Sequence, residues 1–392
     1  MKLLSALSGR DLSGEICILR VDLNINNKSL KTSDANLRIV SIVPTIQFLT
    51  KRGAKVVLVS HRGRPGTTDN RQPTTDNIKE FGLKPFAKII GGLLKKDVVF
   101  VSLDTKEERI ISQKDIEKIK KAAKGSVFLL ENIRFLAGEE KNDPRVVKPL
   151  AELGTFYVND AFAVSHRKNA SVVAIAKLLP SCAGLLLEKE IGNLDCALAS
   201  KQRPFIIILG GAKMTDKMGM IKNFINRADY ILTGGGIANT MFAAEGLPIG
   251  DSVYEKDMIP TAKKLLQSKK IILPIDLVVT NRKIVDNGAE TTQEWAEIVK
   301  NAKTIIWNGP LGVIEDSKFA KGSIAIAKAI AASKAFTVVG GGETALAFRG
   351  LKLKQNTFLS TGGGAMLEYL SGIKLPGIAA LKIANKNHEK AK

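Results

Sequence analysis

The stretch Arg203–Met220, RPFIIILGGAKMTDKMGM, decides the fold class of this chain. Its five consecutive apolar residues, Phe205–Leu209, are typical of a strand buried on both faces of a parallel sheet. Two glycines end this strand, and a predicted helix with Lys213 and Lys217 on one face follows. A strand that turns through glycines into a helix presents backbone N–H groups to an anion. The stretch therefore predicts an α/β unit with a candidate phosphate site, although an ordinary turn with solvated lysines is the commoner explanation in isolation.

Composition and charge limit the classes of function that the chain can have. Its 392 residues exceed what one compact core accommodates, so we expect two domains. The 59 basic and 38 acidic residues give a net charge of +21, which indicates anionic partners. The lysines are spread along the chain without a dense basic run or interleaved aromatic residues, so no specific nucleic-acid partner is expected.

The cysteine and hydropathy patterns bear on the cellular compartment of the protein. Cys17, Cys182 and Cys196 lack metal-ligand spacing, which favours reduced thiols in the cytoplasm. No apolar run approaches the length of a membrane span, so no membrane partner is expected.

Apolar strand patterns alternate with helical patterns in two series along the chain. The first series comprises Ile16–Val21, Val56–Val59, Val98–Val101, Val127–Leu130 and Phe156–Val158. The second comprises Phe205–Leu209, Tyr230–Leu232, Ile271–Val279, Thr304–Trp307, Phe336–Val339 and Thr357–Leu359. A helical pattern at Leu186–Ala199 joins the two. This alternation predicts an α/β protein with two parallel sheets, each covered by helices on both faces.

The residues that follow the strands differ between the two series. Those of the first are polar or cationic, namely Asp22, Asn24, His61, Arg64, Arg134 and Arg167. Those of the second are glycine pairs and triplets. Because ligands of open α/β sheets bind at the carboxyl ends of the strands, the first half predicts a basic cup for a small anion. The second predicts bare backbone beside a nucleotide. The chain lacks GxGxxG and GxxxxGK[ST], so neither a dinucleotide-binding fold nor a P-loop enzyme is supported.

A series of motifs resembles phosphoglycerate kinases in order and spacing, from residue 16 to residue 378. The motifs are RVDLN, SHRGRP, LLENIRF, YVNDAF, LLLEKE, ILGGAKMTDK, GGGIANT, IIWNGPLGV, GGGETA and STGGGAMLE. The resemblance implies two Rossmann-like three-layer α/β/α domains with parallel sheets, joined by an interdomain helix and separated by a cleft that closes by hinge bending. It implies a substrate domain at 1–183, an interdomain helix at 184–200, a nucleotide-binding domain at 201–372, and a segment 373–392 that packs back on the substrate domain.

The same resemblance implies the reaction and the partners. The acyl phosphate of 1,3-bisphosphoglycerate would pass reversibly to Mg-ADP by direct in-line transfer, giving 3-phosphoglycerate and ATP. The protein would be a cytoplasmic monomer with Mg²⁺ as its cofactor. Two alternatives remain open: a basic nucleotide- or RNA-binding protein on the same scaffold, and a kinase for a different acyl phosphate.

The site residues that the resemblance implies fall into two groups. In the substrate domain, Asp22 and Asn24 would hold the hydroxyl and carboxylate end of the substrate, and Arg38 would lie nearest the transferred phosphoryl group. The distal phosphate would be bound by His61, Arg64, Arg134 and Arg167. Arginine suits this role because its planar fork binds phosphate oxygens bidentately.

In the nucleotide domain, Lys213 would reach the transferring group and Lys217 the ADP phosphates, while Glu315 would accept from the ribose. Glu343 would bind Mg²⁺ together with the nucleotide phosphates. The remaining nucleotide-binding residues would be Gly235, Gly236, Asn308, Gly341, Gly342 and Thr344, and backbone N–H groups of Gly363 and Gly364 would stabilise the moving phosphoryl charge.

Four departures from the family pattern stand out. Arg62 replaces the usual leucine of SHLGRP and is expected to add a positive charge beside the cup. Asn169 replaces a histidine, and Glu343 replaces the aspartate of GGGDT. The stretch Thr280–Gly288 is shorter than its counterpart and matches the DIG motif only loosely, which bears on base preference.

Overall fold

The computed structural model of this chain describes residues 1–25, 33–65, 75–103 and 110–390. It consists of two compact units, one formed by Met1–Glu190 with Lys374–Lys392 and the other by Ile191–Ile373. Each unit is an α/β fold around a six-stranded parallel sheet, which confirms the predicted fold class. Among the described residues, no helix combines the length and the apolar character that a membrane span requires.

The strands and helices of the first unit follow the predicted alternation. Its strands are β1 (Ile16–Arg20), β2 (Lys55–Val59), β3 (Val98–Val101), β4 (Val127–Leu130), β5 (Phe156–Asn159) and β6 (Ser181–Ala183). Its helices are α1 (Ser33–Lys51), α2 (Thr75–Phe81), α3 (Lys84–Leu94), α4 (Gln113–Lys121), α5 (Pro144–Leu153) and α6 (Ile175–Leu178). Helix α7 (Leu185–Ala199) begins in this unit, and the boundary between the units falls within it.

The second unit repeats this plan. Its strands are β7 (Phe205–Leu209), β8 (Tyr230–Thr233), β9 (Ile271–Ile272), β10 (Leu277–Thr280), β11 (Lys283–Asn287), β12 (Thr304–Asn308), β13 (Phe336–Gly340) and β14 (Thr357–Ser360). Its helices are α8 (Met218–Phe224), α9 (Gly235–Glu245), α10 (Ile259–Leu266), α11 (Ala289–Asn301), α12 (Lys321–Ala332), α13 (Gly342–Leu346) and α14 (Gly364–Leu370). The last helix, α15 (Pro376–Lys390), belongs to the first unit, where the Gly377 N–H donates to the Ser165 carbonyl.

The order of the strands determines where ligands can bind. The first sheet runs β3-β4-β2-β1-β5-β6 and the second runs β14-β13-β12-β7-β8-β9. The chain therefore reverses its direction of winding between β1 and β5 in one sheet, and between β7 and β12 in the other. Such reversal points open a crevice at the carboxyl ends of the strands.

The apolar strand sequences explain why both sheets are interior layers. Every residue of β1, β7 and β12 is buried, as expected of central parallel strands covered on both faces. One core forms around the first sheet and includes Leu58 and Phe86. Another forms around the second and includes Trp295 and Trp307.

One predicted strand is wrong. Ile271–Val279 is split into β9, which is parallel to β8, and β10, which forms an antiparallel hairpin with β11. Pro274 and Asp276 lie at the break, and the Asp276 carboxylate accepts hydrogen bonds from the N–H groups of Glu290 and Thr291. Pro274 cannot donate to a sheet and the Asp276 carboxylate is used at the start of α11, so the run does not form a single strand.

Candidate active site

The polar residues after β1 and β2 are fixed in place by hydrogen bonds between the two strand ends. The Ser60 hydroxyl donates to the Val21 carbonyl at 2.8 Å and accepts from the Leu23 N–H at 2.9 Å. The Asn24 side-chain oxygen accepts from the Gly63 N–H at 2.8 Å. The segment after β1 and the segment after β2 therefore form one cross-linked rim.

Asp22 and Arg38 form an ion pair on this rim. The Arg38 Nη1 atom lies 2.8 Å from Asp22 Oδ2, and the carboxylate is nearly buried. The other carboxylate oxygen accepts from the Asn24 N–H at 3.1 Å. The Asp22 carboxylate therefore orients the guanidinium of Arg38, which lies on α1. Because the two charges cancel, the pair adds no net negative charge to the rim.

His61 is a neutral hydrogen-bond donor among the arginines of this rim. It is 1% exposed, and its Nδ1 atom accepts from Arg20 Nη2 at 3.1 Å. The pKa of His61 is held well below its usual value by burial and by the charges of Arg20, Arg134, Arg167 and Arg38. The proton of the neutral ring is therefore on Nε2, which is buried and has no hydrogen-bond partner among the described residues. An anionic oxygen would satisfy this N–H.

Arg134 and Arg167 complete the cationic part of the rim. Arg134 Nη1 donates to the Gly63 carbonyl at 2.6 Å, and Nε lies 3.4 Å from Glu140 Oε1. Burial and the charge of Arg167 lower the pKa of Arg134 to about 10, so the group stays protonated at neutral pH. We call the set Asp22, Asn24, Arg38, His61, Arg134 and Arg167 the basic cup. Because the charge of Arg167 contributes to the lowered pKa of Arg134, the two guanidinium groups lie close enough to favour an anion between them.

Arg64 is placed differently. It follows Gly63 on the same loop, but its side chain is exposed and makes no hydrogen bond or ion pair with the residues that the structure describes. Its backbone belongs to the rim, while its guanidinium extends into solvent.

The sequence interpretation missed Arg20. This arginine is 1% exposed at the end of β1, where Nε donates to the Ser171 hydroxyl at 2.9 Å. Ser171 in turn donates to Glu139 Oε1 at 2.6 Å, and the Glu139 side chain is fully buried. The chain Glu139–Ser171–Arg20 ends on Nδ1 of His61 and fixes the tautomer of that ring. A cation inside the apolar strand ICILR is the sequence signal that could have revealed it.

Arg62 does not add its charge to the basic cup, which corrects the expectation from the sequence. Its Nε donates to the Ile25 carbonyl at 2.7 Å and its Nη1 to the Gly82 carbonyl at 3.1 Å. The guanidinium also lies 5.3 Å from the centre of the Phe86 ring. Asn169, the second departure, is buried immediately before the helical turn Ala170–Ala174.

In the second unit, backbone segments approach one another very closely at the reversal point between β7 and β12. The Gly211 N–H donates to the Pro310 carbonyl at 2.8 Å. A Cβ atom on Gly210 would lie 2.0 Å from that carbonyl oxygen, and one on Gly236 would lie 2.3 Å from the Ala212 carbonyl oxygen. These positions require glycine because any side chain would collide with main-chain atoms. The result is a stretch of closely packed backbone without side chains at Gly210, Gly211, Gly235, Gly236 and Gly309, which we call the glycine edge.

Lys213 and Lys217 both lie at the glycine edge, but they do not share a helix face as the sequence predicts. Thr215–Lys217 is a 3₁₀ turn and α8 begins only at Met218, so Lys213 lies in the preceding loop and is exposed. Lys217 is partly buried, which lowers its pKa, while Asp216 and Glu343 act in the opposite direction. Glu343 therefore lies within electrostatic reach of Lys217.

The remaining predicted nucleotide residues surround this edge. Asn308 Nδ2 donates to the Gly340 carbonyl at 3.0 Å, and the Thr344 hydroxyl accepts from the Gly309 N–H at 2.8 Å. Glycines with positive φ angles shape the loops, namely Gly235 (+59°), Gly309 (+92°), Gly341 (+99°) and Gly363 (+47°). Gly342 begins α13, and a Cβ atom on Gly363 or Gly364 would meet no described atom within 4 Å. That open space leaves the backbone there accessible.

The loop that follows β12 carries Glu315 and packs against the short stretch 280–288. Glu315 is exposed on this loop. Asp286 is buried behind it and accepts from the Gly322 N–H at 2.8 Å at the start of α12, and its burial raises its pKa to about 6. The Val313 N–H donates to the Val285 carbonyl at 2.8 Å. The stretch thus supports the loop that carries Glu315.

The donors near Glu343 fit a metal that arrives with a ligand. Within the part of the chain that the structure describes, no group of three or more His, Cys, Asp or Glu residues could hold a metal ion. Glu343 offers one exposed carboxylate at the glycine edge. Mg²⁺ is usually held by one or two carboxylates plus phosphate oxygens and waters, so this donor set suits Mg²⁺ bound to a nucleotide.

Comparisons with known proteins agree with this geometry. A family model described as phosphoglycerate kinase matches residues 7–373. Phosphoglycerate kinase of Herpetosiphon aurantiacus is 40% identical over 394 residues, which cover 94% of this chain and 96% of that protein. The phosphoglycerate kinase of Thermosipho africanus is 41% identical over 405 residues, with 96% of each covered. The crystal structure of phosphoglycerate kinase from Pyrococcus horikoshii OT3 matches with a TM-score of 0.84 at 32% identity, covering 98% of this chain and 100% of that chain.

The matches span both units and therefore include the basic cup and the glycine edge. The known function of this family is a reversible phosphoryl transfer in glycolysis, which makes the chain a phosphotransferase. The chain belongs to the phosphoglycerate kinase family.

Proposed function

We propose that the basic cup binds 3-phosphoglycerate or 1,3-bisphosphoglycerate and that the glycine edge binds ADP or ATP. The observation that supports the first assignment is the clustering of Arg134, Arg167 and Arg38 around a neutral His61 whose Nε2–H has no partner among the described side chains and backbone. Buried donors of this kind are costly unless a ligand accepts from them. A small polyanion satisfies all of them.

The substrate residues divide by the part of the substrate that they bind. Arg134 and Arg167 bind the distal phosphate together with the Nε2–H of His61, and Arg64 reaches the same phosphate from its exposed position. Asp22 and Asn24 bind the hydroxyl and carboxylate end. Arg38 is held by Asp22 at 2.8 Å and is directed at the phosphoryl group that moves. The Glu139–Ser171–Arg20 chain keeps His61 in the tautomer that donates.

The nucleotide residues divide in the same way. Lys217 and the backbone N–H groups of Gly235, Gly236, Gly341 and Gly342 bind the phosphates, because successive N–H groups of such loops form an anion-binding concavity. Lys213, exposed in its loop, reaches the transferring group. Asn308 and Thr344 fix the loops through hydrogen bonds to Gly340 and Gly309, and Glu315 accepts from the ribose.

The metal assignment concerns Glu343. Glu343 would hold Mg²⁺ together with the nucleotide phosphates, and the ion would supply positive charge that neutralises phosphate charge. Glu343 lies within electrostatic reach of Lys217, so both groups act on the same phosphates.

The chemistry is a direct in-line transfer that requires no nucleophilic side chain. The substrate carboxylate attacks and leaves without a proton, so the protein contributes positioning and charge stabilisation. Arg38, Lys213 and the backbone N–H groups of Gly363 and Gly364 stabilise the charge on the phosphoryl group as it moves. We further propose a cytoplasmic monomer, supported by the free thiols at Cys17, Cys182 and Cys196.

The test of this function mixes the purified protein with ATP, Mg²⁺ and 3-phosphoglycerate and traps acyl phosphate with hydroxylamine. We expect hydroxamate to form only when all three are present. Parallel reactions replace 3-phosphoglycerate with acetate, which lacks the distal phosphate. Formation of acetyl hydroxamate at a comparable rate would refute the assignment of the basic cup and favour a different acyl-phosphate kinase.

A further inference from the structure

Arg62 is a buried cation that connects separate segments of the first unit. The side chain is 2% exposed, and its two carbonyl acceptors belong to Ile25, which follows β1, and to Gly82, which lies between α2 and α3. The Phe86 ring of α3 packs beside the guanidinium. Burial lowers the pKa of Arg62, while the carboxylates of Glu80 and Glu131 raise it.

Further hydrogen bonds fix the backbone of residue 62 and the start of the loop before α3. The Arg62 N–H donates to the Asn132 side-chain oxygen at 3.1 Å, and the Arg62 carbonyl accepts from Asn132 Nδ2 at 2.7 Å. Glu131 Oε1 accepts from the Leu83 N–H at 2.7 Å. A leucine at position 62, as is usual in the family, would leave the carbonyls of Ile25 and Gly82 without these donors.

The connection leads directly to the basic cup. Ile25 is the residue after Asn24, and Asn24 accepts from the N–H of Gly63, the residue after Arg62. The Arg62 side chain therefore fixes the residue after Asn24, and the N–H of Gly63 fixes the Asn24 side chain. The positive charges that depress the pKa of His61 belong to Arg20, Arg134, Arg167 and Arg38, so the contribution of Arg62 is positional.

We propose that Arg62 is a positioning residue for the substrate: it holds Ile25, and through it Asn24, at the hydroxyl and carboxylate end of 3-phosphoglycerate. Arg62 acts through Asn24 and does not itself contact the ligand. The inference rests on the proposed function of the basic cup. It assigns to this chain a hydrogen-bonded clamp at a position where the family pattern has an apolar side chain.

The test compares four variants of the whole chain, Arg62→Leu, Arg62→Lys, Arg52→Leu and Arg134→Ala, at a temperature well below every unfolding midpoint. Arg62→Leu should raise KM for 3-phosphoglycerate about tenfold while KM for ATP changes less than about twofold, as expected when one or two buried hydrogen bonds that fix a ligand group are lost. Arg62→Lys should give a smaller rise, because an ammonium group can replace one of the two donors but not the planar fork.

Arg52→Leu is the matched control. Arg52 also donates to two carbonyls, those of Ser8 and Phe48, and its guanidinium lies 3.7 Å from the Phe48 ring centre. Arg52 lies before β2, at the amino ends of the strands, whereas the basic cup lies at their carboxyl ends. Its loss should lower the unfolding midpoint but leave KM for 3-phosphoglycerate unchanged.

The outcomes separate this inference from the proposed function. If Arg134→Ala raises KM for 3-phosphoglycerate but Arg62→Leu and Arg62→Lys do not, the clamp is refuted and the basic cup stands. If Arg134→Ala also has no effect, the basic cup itself is refuted. An equal rise of both KM values in the Arg62 variants would indicate a general loss of structure and would likewise overturn the inference. If Arg62→Leu does not fold, Arg62→Lys decides the question on the same readouts.

Discussion

Replacing Arg134 by alanine gives a quantitative test of the basic cup. Two nitrogens of this guanidinium contact protein, because Nη1 donates to Gly63 and Nε lies 3.4 Å from Glu140. The remaining donors of the planar fork are those that the proposal directs at the distal phosphate. The change therefore removes charge-assisted contacts with phosphate and, within the protein, the hydrogen bond to the Gly63 carbonyl and one weak ion pair.

The size of the effect follows from these contacts. A hydrogen bond to a charged group contributes about 1.5–3 kcal/mol, which corresponds to a rise of roughly 10- to 150-fold in KM for 3-phosphoglycerate. The ion pair with Glu140 contributes little because the carboxylate is 56% exposed. KM for ATP should change less than about twofold, because the nucleotide binds in the other unit. Steady-state assays with each substrate varied at saturating levels of the other measure both constants.

Arg145→Ala is the control for removing an arginine from the same unit. Arg145 is 89% exposed and pairs with Asp143 two residues away. Its loss should leave both KM values unchanged. The reasoning is refuted if Arg134→Ala weakens both ligands equally, or if its KM for 3-phosphoglycerate matches that of Arg145→Ala.

Two further predictions concern the metal and the pH dependence of stability. Glu343→Gln should raise the Mg²⁺ concentration that activity requires at least about tenfold, while nucleotide binding without metal changes little, since only the charge that faces the metal is removed. Glu343→Asp should retain substantial activity. If activity of Glu343→Gln depends on Mg²⁺ concentration as that of the wild type does, Glu343 is not part of the metal site. Asp160 is buried where its oxygen accepts from the N–H groups of Leu186 and Leu187, and burial raises its pKa to about 6. Because the native state holds this proton up to a higher pH than the unfolded state, the free energy of unfolding should fall as the pH rises from about 4 to about 6, by on the order of 3 kcal/mol at most. Asp160→Asn keeps the acceptor and should lose that part of the slope in urea unfolding at pH 4–7, whereas identical slopes would show that Asp160 does not titrate in this range.

The sequence predicted the fold class because its strands are apolar, rich in β-branched residues and separated by helical patterns. Val56–Val59 and Phe205–Leu209 are recognisable without any tertiary information, since central parallel strands are apolar on both faces. The split of Ile271–Val279 could not be predicted in the same way. Its cause is a contact between the Asp276 carboxylate and the start of α11, which lies later in the chain.

The candidate site was predicted where residue type alone indicates the chemistry. Polar residues after apolar strands identified Asp22, His61 and Arg134, because the carboxyl ends of parallel strands meet at one edge. The direction of a side chain is a tertiary property, and there the sequence was insufficient. Arg62 is turned into the protein by carbonyl acceptors from distant segments, and the action of Arg20 on His61 depends on a buried hydrogen bond to Ser171, which lies far along the chain.

Hydrogen exchange of the wild-type protein with each ligand alone tests the central claim most directly, because it reports where each ligand binds without altering any side chain. With 3-phosphoglycerate, we expect slower exchange at residues 60–65, 131–135 and 165–168, the loops of the basic cup. With Mg-ADP, we expect slower exchange at residues 210–218, 308–311 and 341–345 along the glycine edge. Protection of the glycine-edge loops by 3-phosphoglycerate, with the 60–65 and 131–135 loops unaffected, would contradict the assignment of the two ligands to the two units.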